Sequence, residues 1–264
     1  MTNSFEQVGM AAGYAQFRPP VHRKILERAL ASGTAVPRAV DVGCGAGLST
    51  QALAGFADVA LGMEPVAAML PKKPNFFAGA AEAIPVAGAC IDLITAAGSL
   101  NYADLTLFFP EAARILRDGG LLIVYDFEPG RSFRSSRDLD EWFNAFVQRY
   151  PWPPHDALEL NPEILRDVAT GFRLQNQERF EIAIALDREF YLEYMLTETN
   201  VAFAQRRGIA RQEIRSWCAH TLDEFWHEGR REVLFRGYFA CLLKFEQPLR
   251  LACDIAHLRK DLVF

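Results

Sequence analysis

The chain has 264 residues, half of them hydrophobic and 23% charged, enough to enclose one complete α/β domain of ordinary size with a sizeable elaboration. A formal net charge of −5, with no basic half hidden by an acidic one, argues against a surface built to release counterions from nucleic acid. Small-molecule substrates are therefore expected, with no nucleic-acid partner.

Met1 to Gln7 lacks a basic-then-apolar leader pattern, and no apolar run approaches the roughly 18 residues of a spanning helix. The expectation is a soluble, cytoplasmic protein without a membrane partner. Cys44, Cys90, Cys218, Cys241 and Cys253 are odd in number, scattered and without a C-x-x-C pair, which disfavours a disulfide framework or a structural zinc site. Oligomeric state is not legible.

Tyr14-Ala15-Gln16-Phe17-Arg18-Pro19-Pro20 is the first distinctive segment, an arginine among aromatic residues stopped by two prolines. Arg38 to Val42 reads as a strand, with Asp41 near its end. Gly43-Cys44-Gly45-Ala46-Gly47 follows, three glycines that permit a tight turn and close approach of backbone to a ligand. Leu48 to Ala54 reads as the next helix, whose free N–H groups favour an anionic group at its N-terminus. Val59 to Met63 is a second strand. Glu64 at its end is placed to accept hydrogen bonds from both ribose hydroxyls of a nucleoside, and Pro65 fits the first position of a helix.

Asn75 to Ala78 reads as a third strand, leading into the loop Gly79-Ala80-Ala81-Glu82-Ala83-Ile84-Pro85. Ile91 to Ala96 is a fourth strand with an exit loop through Ala97, Gly98, Asn101 and Tyr102. Glu111 to Gly120 reads as a helix closed by Gly119-Gly120, and Leu121 to Phe127 as a fifth strand. This alternation is the rhythm of a parallel, doubly wound sheet, whose ligands sit at the carboxyl ends of the strands; Gly43, Glu64, Ala80 and Ala97 should therefore converge on one crevice.

Beyond Glu128 the pattern changes. Pro129 to Pro154 is rich in arginine, serine, proline and aromatic residues, with Trp142, Phe143, Phe146 and Tyr150 at helical spacing. Gly171 to Ile184 reads as a sixth strand, Glu189 to Thr197 and Arg211 to Trp226 as helices, and Val233 to Phe245 as a last strand that pairs antiparallel in a mixed sheet. The segments Pro129 to Pro162 and Asp187 to His227 are candidates for a lid over an acceptor.

The glycine turn does not fit a dinucleotide fingerprint, which wants its third glycine three residues after the second; that position is Leu48, and Gly47 comes one residue early. Val40 to Leu48 instead resembles the first motif of the class I S-adenosylmethionine (SAM) dependent methyltransferases. The later segments follow in that family's order. Gly79 to Pro85 is similar to its adenine-side loop, although Ala80 stands where an aspartate is common, which leaves backbone groups of Ala80 and Ala81, or Glu82, to meet the adenine. Tyr14 to Pro20 resembles the segment lying over SAM in the ubiquinone-biosynthesis and trans-aconitate methyltransferase groups.

The resemblance implies a Rossmann-like, doubly wound, seven-stranded mixed sheet with its last strand antiparallel and helical insertions forming a lid. It implies a single domain over residues 1–264, with a SAM-binding half at 1–128, inserted substrate-lid segments at 129–232, and the last strand and tail at 233–264. SAM would be the cofactor and S-adenosylhomocysteine (SAH) the product. Tyr14, Arg18, Asp41, Gly43, Cys44, Gly45, Gly47, Glu64, Pro65, Met69, Ala80, Ala81, Glu82, Ala97 and Gly98 are the implied cofactor residues, with Arg18 pairing with the SAM carboxylate and Asp41 supporting the loop. Asn101, Tyr102, Trp142 and Tyr194 are candidate acceptor contacts, and His155 and Tyr102 candidate catalytic groups. The implied activity is methyl transfer to oxygen, carbon or nitrogen of a small molecule. A non-catalytic SAM or SAH binder, or a methyltransferase acting on protein or RNA, is the alternative.

Overall fold

Strands β1 (Val36–Val42), β2 (Ala57–Glu64), β3 (Phe76–Ala78), β4 (Ile91–Ala97) and β5 (Leu116–Phe127) are parallel and lie in the order β3-β2-β1-β4-β5. The structure, a computed structural model, describes residues 17–154, 156–227 and 229–245; Tyr14 and His155 lie outside these residues. Between the strands run α1 (Val21–Ala29) before β1, α2 (Leu48–Leu53) and α3 (Leu105–Ile115). The carboxyl-end portions of β1 and β2 and nearly all of β4 are buried on both faces, as helices on each side require, while β3 at the edge is half-buried or exposed.

The remaining strands are β6 (Ser132–Phe133), β7 (Phe172–Leu186) and β8 (Arg231–Lys244). Strand β8 runs antiparallel between β5 and β7, so the antiparallel strand closes the chain order without lying at the sheet's edge. The sheet has eight strands rather than seven, because β6 pairs two residues with β8 on the side facing β5, beyond the end of β5. A two-residue strand carries no periodicity a sequence could show.

Two expected helices differ. No helix follows Pro65: residues 67–69 form a turn, because Pro71 and Pro74 leave too short a stretch to propagate one. Helix α3 begins at Leu105 rather than Glu111, with the Asp104 side chain accepting from Thr106 N–H as its cap. Pro110 lies inside it and mimics a boundary in the sequence. Strand β5 correspondingly starts at Leu116, and its pairing with β4 shifts register before Leu121.

Helices α4 (Asp138–Arg149), α5 (Pro162–Val168), α6 (Arg188–Met195), α7 (Thr199–Arg206) and α8 (Arg211–Leu222) occupy the inserted segments. One core lies on the sheet face that carries Ile123 and Tyr125; it joins α1 to the aromatic side chains of α4, α6 and α8. The other packs α3 and α5 against Val40, Ile94 and Val124 with mostly aliphatic residues. Pairing of β7 with β8 continues past the end of β5, from Phe180 opposite Gly237 to Leu186 opposite Arg231. Strand β7 runs in the direction of β5, so this ribbon carries α6, α7 and α8 out on the side of the carboxyl ends. Among the described residues no helix is long and apolar enough to cross a membrane.

Candidate active site

The exit of β1 is pinned at Gly43, whose φ of +72° favours glycine and where a Cβ would stand 2.2 Å from the Cβ of Ser99. The N–H groups of Gly43 and Cys44 both donate to the Met63 carbonyl, at 2.8 and 2.9 Å. The Gly45 N–H donates to Glu64 Oε2 at 3.0 Å, and the Val66 N–H to Glu64 Oε1 at 3.0 Å. Glu64, 8% exposed, thus joins the end of β2 to the glycine turn. Each carboxylate oxygen keeps acceptor capacity after these bonds, since a carboxylate offers about four lone-pair sites.

Behind the turn, Asp41 is fully buried and accepts three hydroxyl bonds, from Ser49 at 2.5 Å, Thr50 at 2.7 Å and Thr95 at 2.8 Å. Burial raises its carboxyl above the usual range, and the three hydroxyls oppose that rise. Asp41 therefore fastens β1 to α2 and β4 and acts on a ligand only through the loop. Helix α2 has six residues, so its dipole at the turn is short, and Gly47 forms its left-handed N-cap. Burial, reinforced by Asp41 and Glu64, pushes the Cys44 thiol up to about 12, which leaves it unreactive.

Met69 is buried and lies against Gly45, while Pro65 is exposed. Ala80 and Ala81 lie on the loop after β3, where Ala80 bridges to Ala83. Glu82 is committed elsewhere: its Oε1 accepts the Asp104 N–H at 2.8 Å and ties the loop to the start of α3. Glu111 and Arg114 hold the rest of the loop through Ile84 N–H, Ile84 O and Val86 O.

The end of β4 meets the end of β5 at a group that sequence reasoning missed, Asp126. Asn101 Nδ2 donates to Asp126 Oδ2 at 2.8 Å, the Phe127 N–H donates to Oδ1 at 2.8 Å, and a Cβ at Gly98 would lie 2.9 Å from Oδ1. Burial raises the Asp126 carboxyl, Glu128 adds to the rise, and the two donors oppose it. Tyr102 is 70% exposed at the rim, and partial burial with the Asp126 charge raises its phenol. His22 Nδ1 lies 3.0 Å from the Tyr125 hydroxyl, and burial, with Arg18 adding, lowers this imidazole to about 4. The available signal for Asp126 was an aspartate ending an otherwise apolar strand at its carboxyl end.

Three expected contacts lie elsewhere. Arg18 pairs with Glu198 at 2.9 Å, donates to Thr197 O at 3.4 Å and lies over the Tyr194 ring. The buried Glu198 needs a nearby cation, so the structure directs Arg18 to the α6–α7 junction rather than to the turn. Tyr194 is 1% exposed and packs on Phe235. Trp142 is also 1% exposed, stacked on Phe146 and Trp217, with its indole N–H donated to Thr221; it is core, and its helical spacing with Phe146 was a packing signal. Among the described residues no group of His, Cys, Asp and Glu has the makings of a metal site.

A glycine turn after β1, an acid at the end of β2 and an antiparallel strand inserted beside β5 complete a Rossmann-like mixed sheet of the kind found in methyltransferase structures. Residues 40–124 match the methyltransferase domain family. A Dictyostelium discoideum protein named as a methyltransferase is 33% identical over 94 residues, which is 34% of this chain and 36% of that protein, so the match spans about a third of its length. Among solved structures, a protein of Anaeromyxobacter dehalogenans assigned as a type II methyltransferase is 21% identical with a TM-score of 0.62, over 86% of this chain and 96% of that one. Haemonchus contortus phosphoethanolamine N-methyltransferase 2, solved with phosphomonomethylethanolamine and SAH, is 16% identical with a TM-score of 0.53, over 91% of this chain and 58% of that one. These structures share the fold with this chain.

Proposed function

We propose that the protein transfers the methyl group of SAM to a small-molecule acceptor by in-line displacement in a crevice over β1, β2, β4 and β5, with residues 129–232 forming the acceptor-side cover. The observation that carries this is the Glu64 carboxylate, bound to the Gly45 and Val66 N–H groups and retaining acceptor positions for two ribose hydroxyls. SAM supplies a methyl group already activated on a sulfonium.

The protein's share is alignment and exclusion of water. Glu64 orients the nucleoside, and the Asp41 hydroxyl network keeps the glycine turn in place without itself facing the ligand. Met69, Ala80 and Ala81 border the adenine side, and Ala97 and Gly98 the methyl side. Asn101 and Tyr102 stand where the acceptor enters. Tyr14, from the sequence, would add a cation–π contribution to sulfonium binding of about 0.5 to 2 kcal/mol. The net charge of −5 favours a small acceptor over RNA.

Calorimetric titration with SAM, SAH and NAD side by side tests this. Binding of SAM and SAH, absent with NAD, is expected. Binding of NAD, or of none of the three, would overturn the proposal. A protein that binds SAM yet never forms SAH across an acceptor panel would be a binder rather than an enzyme.

A further inference from the structure

Among the described residues Asp126 carries its charge without a cation. Among the described residues its hydrogen bonds come from the Asn101 amide and the Phe127 N–H, and no lysine or arginine forms an ion pair with it. Each donor uses a different oxygen, so both oxygens can accept again. Tyr238 lies directly opposite in the β5–β8 register and hence on the same face of the sheet. Among the described residues its hydroxyl is buried without a hydrogen-bond partner, in a residue only 8% exposed. A buried polar group left unpaired in a native fold calls for an explanation, and a ligand is one. At the mouth, Tyr102 and Leu158 are exposed, at 70% and 48%, and Leu158 N–H donates to Asn101 O at 2.8 Å. A carboxylate and an orphaned phenol thus share one face of β5 and β8, and Asn101, the partner of the carboxylate, links them to a rim that holds Tyr102 and Leu158.

We propose that Asp126 binds the acceptor and takes its proton, and that the acceptor is an O–H or N–H nucleophile on an apolar body rather than a carboxylate. This rests on the methyl-transfer reading above and assigns to Asp126 the catalytic role for which His155 was a candidate. As the acceptor heteroatom forms its bond to the methyl carbon, the carbon–sulfur bond breaks and its electron pair stays on sulfur. The sulfonium becomes the neutral thioether of SAH, and the proton lost by the nucleophile passes to the Asp126 carboxylate. Burial makes that carboxylate a stronger base than an exposed one. An anionic acceptor would instead meet a like charge in a partly desolvated site. The titratable groups facing Asp126 are Tyr102 from the β4 exit, Tyr238 from β8 and Glu128 beyond β5, and Tyr125 on β5 also feels its charge.

The test compares wild type, Asp126→Asn and His155→Ala. SAH binding is measured first: equal affinity, within about twofold, shows the variants folded, and a wild type that fails to bind SAH removes both proposals at once. With SAH bound, phenethylamine, 4-ethylphenol and 3-phenylpropanoate are then titrated, three ring compounds differing in their polar group. The amine or the phenol should bind wild type, lose tenfold or more in Asp126→Asn, and hold in His155→Ala; which of the two binds identifies the nucleophile. Binding to wild type should also weaken on the acid side as Asp126 protonates, and that limb should vanish in Asp126→Asn alone. Preference for 3-phenylpropanoate, binding of none of the three, or an unchanged acid limb in Asp126→Asn would overturn the assignment.

Discussion

The two ends of the crevice hold their carboxylates differently. Over β1 and β2, Asp41 accepts three hydroxyls and Glu64 two backbone N–H groups, so the polar groups are fixed by partners that the fold itself brings together. Over β5 and β8, among the described residues, Asp126 has two donors and no cation, and the hydroxyl of Tyr238, opposite it in register, has no hydrogen-bond partner. A satisfied network holds its geometry before a ligand arrives, as the proposed nucleoside site requires. An under-satisfied one leaves hydrogen-bonding capacity for the proposed acceptor.

Breaking the frame common to both ends should have the largest effect. Trp142→Ala removes an indole buried against Phe146, Tyr191 and Trp217 and is expected to cost about 3–5 kcal/mol of stability in denaturant unfolding. SAH affinity at temperatures where the variant stays folded should remain near wild type; a parallel loss of affinity would put Trp142 back at the site. Glu64→Ala acts on one end only. Losing bonds from ribose hydroxyls to a charged acceptor should weaken SAM binding by about 1.5–3 kcal/mol, or roughly ten- to 150-fold, in calorimetry. Unchanged SAM affinity in that variant would sink the placement of Glu64. Gly98→Ala acts on the other end: its φ of +64° and the approach of Asp126 Oδ1 predict strain of about 1–2 kcal/mol, read as a lowered Tm.

The first of these ends was legible in the sequence and the second was not. Gly43, Gly45, Gly47 and Glu64 announce themselves because the turn demands glycine and the acid follows at a fixed remove, one helix and one strand later. The strand order was legible for the same reason, since β1 to β5 alternate apolar runs with helix-length segments. Asp126 belongs to no such local pattern; its neighbours Asn101 and Tyr238 come from residues 25 positions before it and from the antiparallel strand β8. Trp142 and Tyr194 were drawn toward the acceptor by their chemistry, but at helical spacing with other aromatic residues they fill the core of the inserted segments. Arg18 likewise had a visible charge but an invisible partner, because Glu198 reaches it only through the fold.

His22 sharpens the comparison with the smallest effect, since it sits behind Asp126 on the opposite face of β5, against Tyr125 and Phe127. Its imidazole falls from 6.5 in the unfolded chain to about 4 in the fold, chiefly by burial. Between those values the unfolded chain holds a proton that the folded protein does not, so stability is intact above pH 6.5 and declines toward pH 4 by up to about 1.4 kcal/mol per pH unit. The buried carboxylates Asp41, Asp126 and Glu198 have raised values and act with the opposite sign, so the wild-type curve alone cannot isolate His22. The variant His22→Phe can. Phenylalanine keeps the ring contacts and leaves the Tyr125 hydroxyl unpaired, at a cost of about 1 kcal/mol at pH 7.5. As pH falls to 4.5 the variant, with nothing to protonate there, should draw level with wild type and then exceed it. Unfolding curves that stay parallel across that range would show that His22 titrates freely and that the floor beneath Asp126 is wet.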